Sequence, residues 1–357
     1  MKILFISHTF PPITGGVETQ NYELSKGLSK IADVKLIANK KRLLILPFLP
    51  YAALRALISA REYDALLLGS CLLGGVGWFV KTFTNKPVIS VAHGLDLTWK
   101  NKIYQKLWVG IFIPKLDKLI AVGNETVRVA IKKGIAPEKI TFIPNGVNLE
   151  NHSGNFSRSD LEKLLGETLE EKYVILTSGR LARRKGVAWF IRNVMPKLPE
   201  NILYVVMGNG PDKKNIADAI AEKNLSHRVK ALGYATDPVR DMLFNTCDIF
   251  VQPNIKIHGD MEGFGISVIE AAYCGIPVIA SNLEGLQDAI KGGRNGFLVE
   301  PEDADGYVAK INELLASDTY RKEFGQKARK YVIDNLSWGK ISQDYLSEIK
   351  KVVAIKK

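Results

Sequence analysis

KYVILTSGRLARRKG (172–186) decides the fold. From Tyr173 to Thr177 it is a run of apolar and β-branched residues with almost no polar alternation, the pattern of a parallel strand covered on both faces. At Gly179 the run gives way to a basic loop, and a helix is expected to begin near Gly186. It also restarts an alternation that has already run once. KILFIS (2–7), VKLIA (34–38), ALLLG (65–69), PVISVA (87–92), KLIAV (118–122) and ITFIP (140–144) form a first series of strand candidates separated by amphipathic stretches. In the first of those stretches, TQNYELSKGLSK (19–30), Tyr22, Leu24 and Leu28 read as the apolar side. The second series is KYVILTSG (172–179), LYVVMGNG (203–210), VKALGY (229–234), CDIFVQP (247–253), PVIAS (277–281) and FLVEP (297–301). Two β-α-β series of similar size predict an α/β protein of two doubly wound, Rossmann-like parallel-sheet domains. NLENHSGNFSRSD (148–160) is polar and aperiodic and reads as the join, so the expected domains are 1–160 and 161–335, with a terminal segment 336–357. From Ala304 onward the chain reads as helical, with Tyr331, Ile333, Trp338, Ile341, Tyr345 and Ile349 as packing positions.

Composition fits this picture. The 357 residues are 46% hydrophobic and 24% charged, ordinary globular usage that excludes a disordered or collagen-like chain. Three scattered cysteines exclude a disulfide framework and a cysteine-based zinc site, and they fit a reduced cytoplasmic chain. Met-Lys followed by ILFI is too short for a signal-peptide core and reads as the first strand. The longest uncharged stretch, Ala65 to Val80, has 16 residues including four glycines, short of the ~20 that span a bilayer. The net charge of +12 is uneven: residues 1–165 hold 22 Lys and Arg against 12 Asp and Glu. That surplus points to an anionic partner such as a membrane surface. No basic motif interleaved with aromatics accompanies it, which argues against nucleic acid.

Ligands of doubly wound sheets bind beyond the carboxyl ends of the strands, and polar motifs follow the apolar runs there. Gly15 and Gly16 precede the first helix and leave its amides open to an anion. No GxxxxGK[ST] and no GxGxxG is present, which counts against ATP hydrolysis and nicotinamide chemistry. In VAHGLD (91–96), His93 at a strand end is expected to project into the crevice, with Asp96 orienting it or binding a hydroxyl. Arg180 and Lys185 supply a planar guanidinium and a point charge, the pair a diphosphate needs; Arg183 and Arg184 are expected to be more exposed. MEGFGISVIEAAYCGIPVIAS (261–281) places Glu262 in a loop and Glu270 on the following helix. One carboxylate suits vicinal ribose hydroxyls and the other sugar hydroxyls. Gly263 and Gly265 bracket Phe264 and free the backbone amides around Ile266 for phosphate oxygens.

Taken together, PPITGGVE, HGLD, IPNGVN, GRLARRKG, GNGP, the 261–281 stretch, NGFLVEPED and the terminal W-x-x-I helix resemble the family 4 glycosyltransferases, in that family's order and over nearly the whole chain. The resemblance implies a GT-B fold, with two Rossmann-like domains facing across a cleft and a last helix crossing back to the first. It implies a retaining hexosyltransferase that takes a nucleotide-diphosphate sugar and a glycan or lipid-linked acceptor, with no cofactor and no required metal. A relative acting on the nucleotide sugar without an acceptor, an epimerase or hydrolase, is the alternative. By the same resemblance Glu270 would bind the donor ribose, Arg180 and Lys185 the diphosphate, with Gly15 and Gly16 approaching it from the first domain. Glu262 would hold the transferred sugar, Gly263, Phe264, Gly265 and Ile266 would complete the donor site, and His93 would lie near the reacting carbon, with Asp96 on the acceptor side.

KKRLLILPFLPYAALRALIS (40–59) leads from basic residues into leucines, Phe48 and Tyr51, with Pro47 and Pro50 expected to limit any helix before residue 51. This basic-apolar segment suits either the core of the first domain or a membrane interface, which predicts peripheral association with the inner face of the cell membrane.

Overall fold

The computed structural model describes residues 1–13, 15–150 and 154–356, so residues 151–153 of the expected join lie outside the described residues. Each of the twelve apolar runs forms a strand. β1 (Lys2–Ser7), β2 (Asp33–Ala38), β3 (Ala65–Leu68), β4 (Val88–Ala92), β5 (Lys118–Ala121) and β6 (Ile140–Phe142) make a parallel sheet of order β2-β1-β3-β4-β5-β6. β7 (Tyr173–Ser178), β8 (Ile202–Met207), β9 (Val229–Gly233), β10 (Ile249–Gln252), β11 (Val278–Ser281) and β12 (Phe297–Val299) make a second, of order β12-β11-β10-β7-β8-β9. All pairings within both sheets are parallel.

The chain divides into two compact units, Met1–Gly146 with Ser337–Lys357, and Val147–Leu336. In the first unit, alternate residues of β1 serve opposite cores. Ile3 and Phe5 pack with Leu24 and Leu28 of the Gly16–Ser29 helix, while Leu4 and Ile6 pack with Phe48, Ala52 and Ala56 of the Ile45–Ile58 helix. That double burial is why the strand sequences lack polar alternation. The terminal helix, Trp338–Lys356, belongs to this unit. Its Trp338, Ile341, Tyr345 and Ile349 join the first core, and Glu348 pairs with Lys118 at 3.1 Å. The second unit begins at Val147 instead of near residue 161, because Val147 and Leu161 both pack into its core beside Val174 and Leu176.

Three expectations change. The Ile45–Ile58 helix starts before residue 51 and carries Pro50 inside it. Pro47 sits in the first turn, where backbone N–H groups lack helical partners anyway, so only Pro50 removes a bond. Tyr22 is exposed and meets Phe10 edge-on, while Gln20 and Asn21 occupy the buried side instead, Gln20 donating to the Tyr345 hydroxyl at 3.2 Å. Ile333 is exposed.

In each sheet the strand order reverses once, between β1 and β3 in the first and between β7 and β10 in the second. Crevices at the carboxyl ends of such strand pairs are where doubly wound folds bind ligands.

Candidate active site

In the second unit the switch point is occupied by the two motifs read from sequence. The basic loop leaves β7 and is stitched to its neighbours by backbone bonds: Leu181 N–H donates to the Asn209 carbonyl at 2.9 Å, and Ile255 N–H to the Arg184 carbonyl at 2.9 Å. Two glycines make this close approach possible. A Cβ on Gly186 would lie 1.8 Å from the Pro253 carbonyl oxygen, and one on Gly208 would lie 1.8 Å from that of Gly179. Both also adopt positive φ, 65° and 141°.

The loop's side chains divide. Arg180 is exposed, and its guanidinium has no partner among the described residues. Lys185 is buried, at 7% exposure, and its Nζ lies 2.5 Å from Oε2 of Glu262, itself 8% exposed. Arg183 is exposed as expected, but Arg184 is not: its Nη1 reaches Asp260 at 3.0 Å and its Nε lies 3.6 Å from Glu262 Oε2. The sequence reading missed this because Asp260 arrives on the Ile255–Asp260 segment, whose return depends on the tertiary fold.

Glu262 is anchored through one oxygen. Besides Lys185, Asn254 Nδ2 donates to Oε2 at 3.1 Å; Oε1 has no hydrogen-bond partner among the described residues. Burial alone would push the carboxyl upward, yet Lys185 and Arg184, with hydrogen bonds from Lys185 and Asn254, outweigh it and hold Glu262 below its ordinary value. Its backbone N–H donates to Oε2 of Glu284 at 2.6 Å, and Glu284 adopts φ 50°, a left-handed conformation unusual for a residue with a side chain. Neither Asn254 nor Glu284 was singled out from sequence; the unusual backbone angle of Glu284 is legible only in three dimensions.

The Ile266–Tyr273 helix begins directly after Gly265, whose φ of 90° only glycine adopts readily, with Ile266 at its first position and Glu270 one turn in, half-buried. Gly263 is pressed against Gly285: a Cβ on Gly285 would lie 2.5 Å from the Gly263 carbonyl carbon. Phe264 is buried in the core and pins the loop.

In the first unit, residues after β1, β3 and β4 converge. His93 Nε2 lies 2.9 Å from the Gly69 carbonyl, which only accepts, so Nε2 carries the proton and, in the neutral ring, Nδ1 is the acceptor. Asp96 does not orient that ring. Its two carboxylate oxygens accept from the backbone N–H groups of His93 and Cys71, each at 3.0 Å, and so fix the strand ends instead. A second imidazole, His8, was missed. Its Nδ1 lies 2.9 Å from Ser70 Oγ, and burial, with the neighbouring His93 charge, lowers its pKa to about 4. His8 is therefore held neutral at neutral pH. Gly15 and Gly16 are exposed at the start of the first helix, where Glu18 accepts from Thr9 Oγ1 at 2.6 Å.

Among the described residues, no cluster of three or more metal-ligating side chains occurs, and no helix is long and apolar enough to cross a membrane.

Residues 14–151 match the family model described as Glycosyltransferase Family 4, and residues 165–331 match the one described as Glycosyl transferases group 1. The chain is 28% identical to UDP-Gal:alpha-D-GlcNAc-diphosphoundecaprenol alpha-1,3-galactosyltransferase of Escherichia coli, over 72% of this chain and 67% of that one. It is 26% identical to a GDP-mannose-dependent monoacylated alpha-(1-6)-phosphatidylinositol monomannoside mannosyltransferase of Corynebacterium glutamicum, over 94% of each. Among solved structures, HepE of Anabaena in complex with UDP superposes with a TM-score of 0.80 at 21% identity, covering 98% of this chain and 100% of that one. At that identity the likeness is one of fold.

Proposed function

We propose that this chain, which belongs to the family 4 glycosyltransferases and has the GT-B fold, transfers a hexosyl group with retention from a nucleotide-diphosphate sugar to a hydroxyl of a glycan or lipid-linked acceptor. The observation that carries the donor half is the Lys185–Glu262 contact beside Arg180, beyond the carboxyl ends of β7 and β10. In this reading the second unit holds the donor: Arg180 and Lys185 take the diphosphate, amides at Gly263 to Ile266 add to that field, Glu262 Oε1 accepts from the sugar and Glu270 from the ribose. The first unit serves the acceptor through His93.

Breaking the bond to the sugar's anomeric carbon leaves negative charge on the departing diphosphate and an oxocarbenium-like sugar. Only contacts that strengthen as that charge develops speed the step, and fixed cations and helix-end amides do so. Glu262 is held through Oε2 by Lys185 and Asn254, with Arg184 3.6 Å away, which suits a hydroxyl acceptor more than a nucleophile that must approach the anomeric carbon. Same-face attack, with the departing phosphate taking the acceptor's proton, fits retention without a covalent intermediate. Arg180 and Lys185 supply the charge that a divalent ion would otherwise bring, so no metal is needed.

A screen of UDP-, GDP- and ADP-sugars by thermal shift and slow hydrolysis, run in EDTA, tests this. One nucleotide class is expected to stabilise the protein and to be hydrolysed at an undiminished rate without free metal. No response to any sugar nucleotide would refute the donor assignment, and dependence on added Mg²⁺ would refute the metal-free reading. The relatives' named acceptors, a diphosphoundecaprenol-linked sugar and an acylated phosphatidylinositol mannoside, support a lipid-linked acceptor and a role in cell-envelope glycan or glycolipid synthesis.

The first unit's surface supports peripheral membrane association. The Ile45–Ile58 helix buries Phe48, Ala52 and Ala56 and exposes Leu46, Tyr51, Leu54 and Ile58, so it serves core and surface at once. Phe79 and Phe83 add exposed aromatics on the neighbouring Gly74–Thr84 helix. Residues 40–116 carry eleven Lys and Arg against three Asp and Glu. Apolar area with excess positive charge is what an anionic bilayer surface takes up. Sedimentation should find the protein on vesicles of phosphatidylglycerol and phosphatidylcholine, and at least tenfold less on phosphatidylcholine alone; equal, negligible binding to both would remove the idea.

A further inference from the structure

Arg184 carries a buried, unused donor beside the proposed donor site. Its Nη1 is fixed by both oxygens of Asp260, at 3.0 and 3.3 Å, which turns Nε toward Glu262. That Nε is fully buried and makes no hydrogen bond, although it lies 3.6 Å from Glu262 Oε2. A buried N–H without a partner is costly, so one next to a carboxylate oxygen calls for an explanation. The same oxygen is held at 2.5 Å by Lys185. If Lys185 grips the diphosphate, as the proposed function has it, the ammonium must serve two anions at once or leave Glu262.

We propose that Arg184 is a positioning residue that takes over Oε2 of Glu262 when the donor's diphosphate draws Lys185 away, so that the carboxylate stays paired and oriented toward the sugar. Closing the gap from 3.6 Å to an ordinary charge-assisted hydrogen bond of about 2.8 Å needs only a small side-chain movement. The geometry already aims the donor: Asp260 holds the guanidinium from one side, and the Arg184 carbonyl is bonded to Ile255 N–H, at the start of the segment that delivers Asp260. Three charged groups meet Glu262: Lys185 and Arg184 from the basic loop at its Oε2, and Glu284, which accepts its backbone N–H; Asp260, two residues before it, meets Arg184. With Lys185 gone to the diphosphate, Arg184, already paired with Asp260, is the cation left beside Glu262.

The inference rests on the reading of Lys185 as a diphosphate ligand, and the test separates the two. Arg184→Gln, Asp260→Asn and Lys185→Ala are compared with wild type using UDP and UDP-glucose, or the GDP or ADP pair if the screen selects it. Arg184→Gln should bind the nucleoside diphosphate within threefold of wild type, because that ligand lacks the sugar Glu262 holds. Its kcat should fall at least tenfold, and the acid limb of its pH profile should move up by about one unit, because Glu262 loses its remaining cation in the donor complex. Asp260→Asn keeps the guanidinium and should leave the acid limb in place. A wild-type acid limb with kcat within threefold in Arg184→Gln would overturn the exchange. So would an Asp260→Asn variant that reproduces the Arg184→Gln profile, since the guanidinium would then serve only to clamp the loop. Lys185→Ala should weaken nucleoside diphosphate binding at least tenfold; unchanged binding there would overturn the reading of Lys185 and the exchange with it.

Discussion

Replacing Arg180 and Lys185 together by alanine should reduce kcat/KM for the sugar nucleotide at least a thousandfold. Removing one preorganised donor to a developing anion costs about 2.7–4 kcal/mol, or two to three orders of magnitude, and this pair contributes two. The two contribute in different ways. The exposed Arg180 has no partner among the described residues and is available to a ligand, whereas Lys185 must be drawn from Glu262. Arg180→Ala alone should therefore lose activity without losing stability. Lys185→Ala leaves a buried carboxylate with Asn254 and, as its neighbouring cation, Arg184 at 3.6 Å, and should lower the melting temperature as well. Steady-state kinetics, with melting temperature as the folding control, measure both. Full activity in a folded double variant would leave the donor assignment without its cations.

Glu262→Gln should destabilise the second unit and silence it. The substitution keeps the shape but strands the Lys185 ammonium, 7% exposed, beside Arg184 with no anion between them. Breaking a buried ion pair from one side costs about 3–5 kcal/mol, which for a unit of this size lowers the melting temperature by roughly 10 °C. The pH dependence has a definite sign. Glu262 is held below its ordinary value in the folded chain, because Lys185 and Arg184 outweigh its burial. Its contribution is therefore complete above the unfolded carboxyl value of about 4.3 and disappears as pH falls through the folded value. The gap between wild type and Glu262→Gln should be widest near pH 7 and close in acid, as the wild-type carboxyl becomes neutral. A gap that is absent at pH 7, or that persists unchanged in acid, would contradict the ion pair.

Much of this architecture could be read before any coordinates. All twelve strands lie where the apolar runs placed them; β3, β4, β8, β10 and β11 are buried throughout and so lack polar alternation, whereas β2 and β9 carry lysines on partly exposed faces. Lys185 and Glu262, chosen from separate motifs, meet in space because each motif follows a strand at the same sheet reversal. What stayed hidden depends on chain segments that meet only after folding. Arg184 reads as one more surface cation until the Ile255–Asp260 segment returns Asp260 to it. Asp96 reads as a partner for the His93 ring, yet its carboxylate is used by the two backbone amides. His8 is separated in sequence from Ser70, with which it shares a hydrogen bond across neighbouring strands, and nothing in its local sequence marks it. Pro47 and Pro50 suggested a delayed helix, whereas the first turn tolerates one proline and tertiary packing of Phe48, Ala52 and Ala56 outweighs the other.

Titration calorimetry of a nucleoside diphosphate against its monophosphate, in the wild type and in the Arg180→Ala/Lys185→Ala variant, tests the cationic grip most directly. Wild type should bind the diphosphate at least a hundredfold more tightly than the monophosphate, and the double variant should bind the two nearly alike. Equal affinities in wild type, or a preference that survives the loss of both cations, would contradict the account.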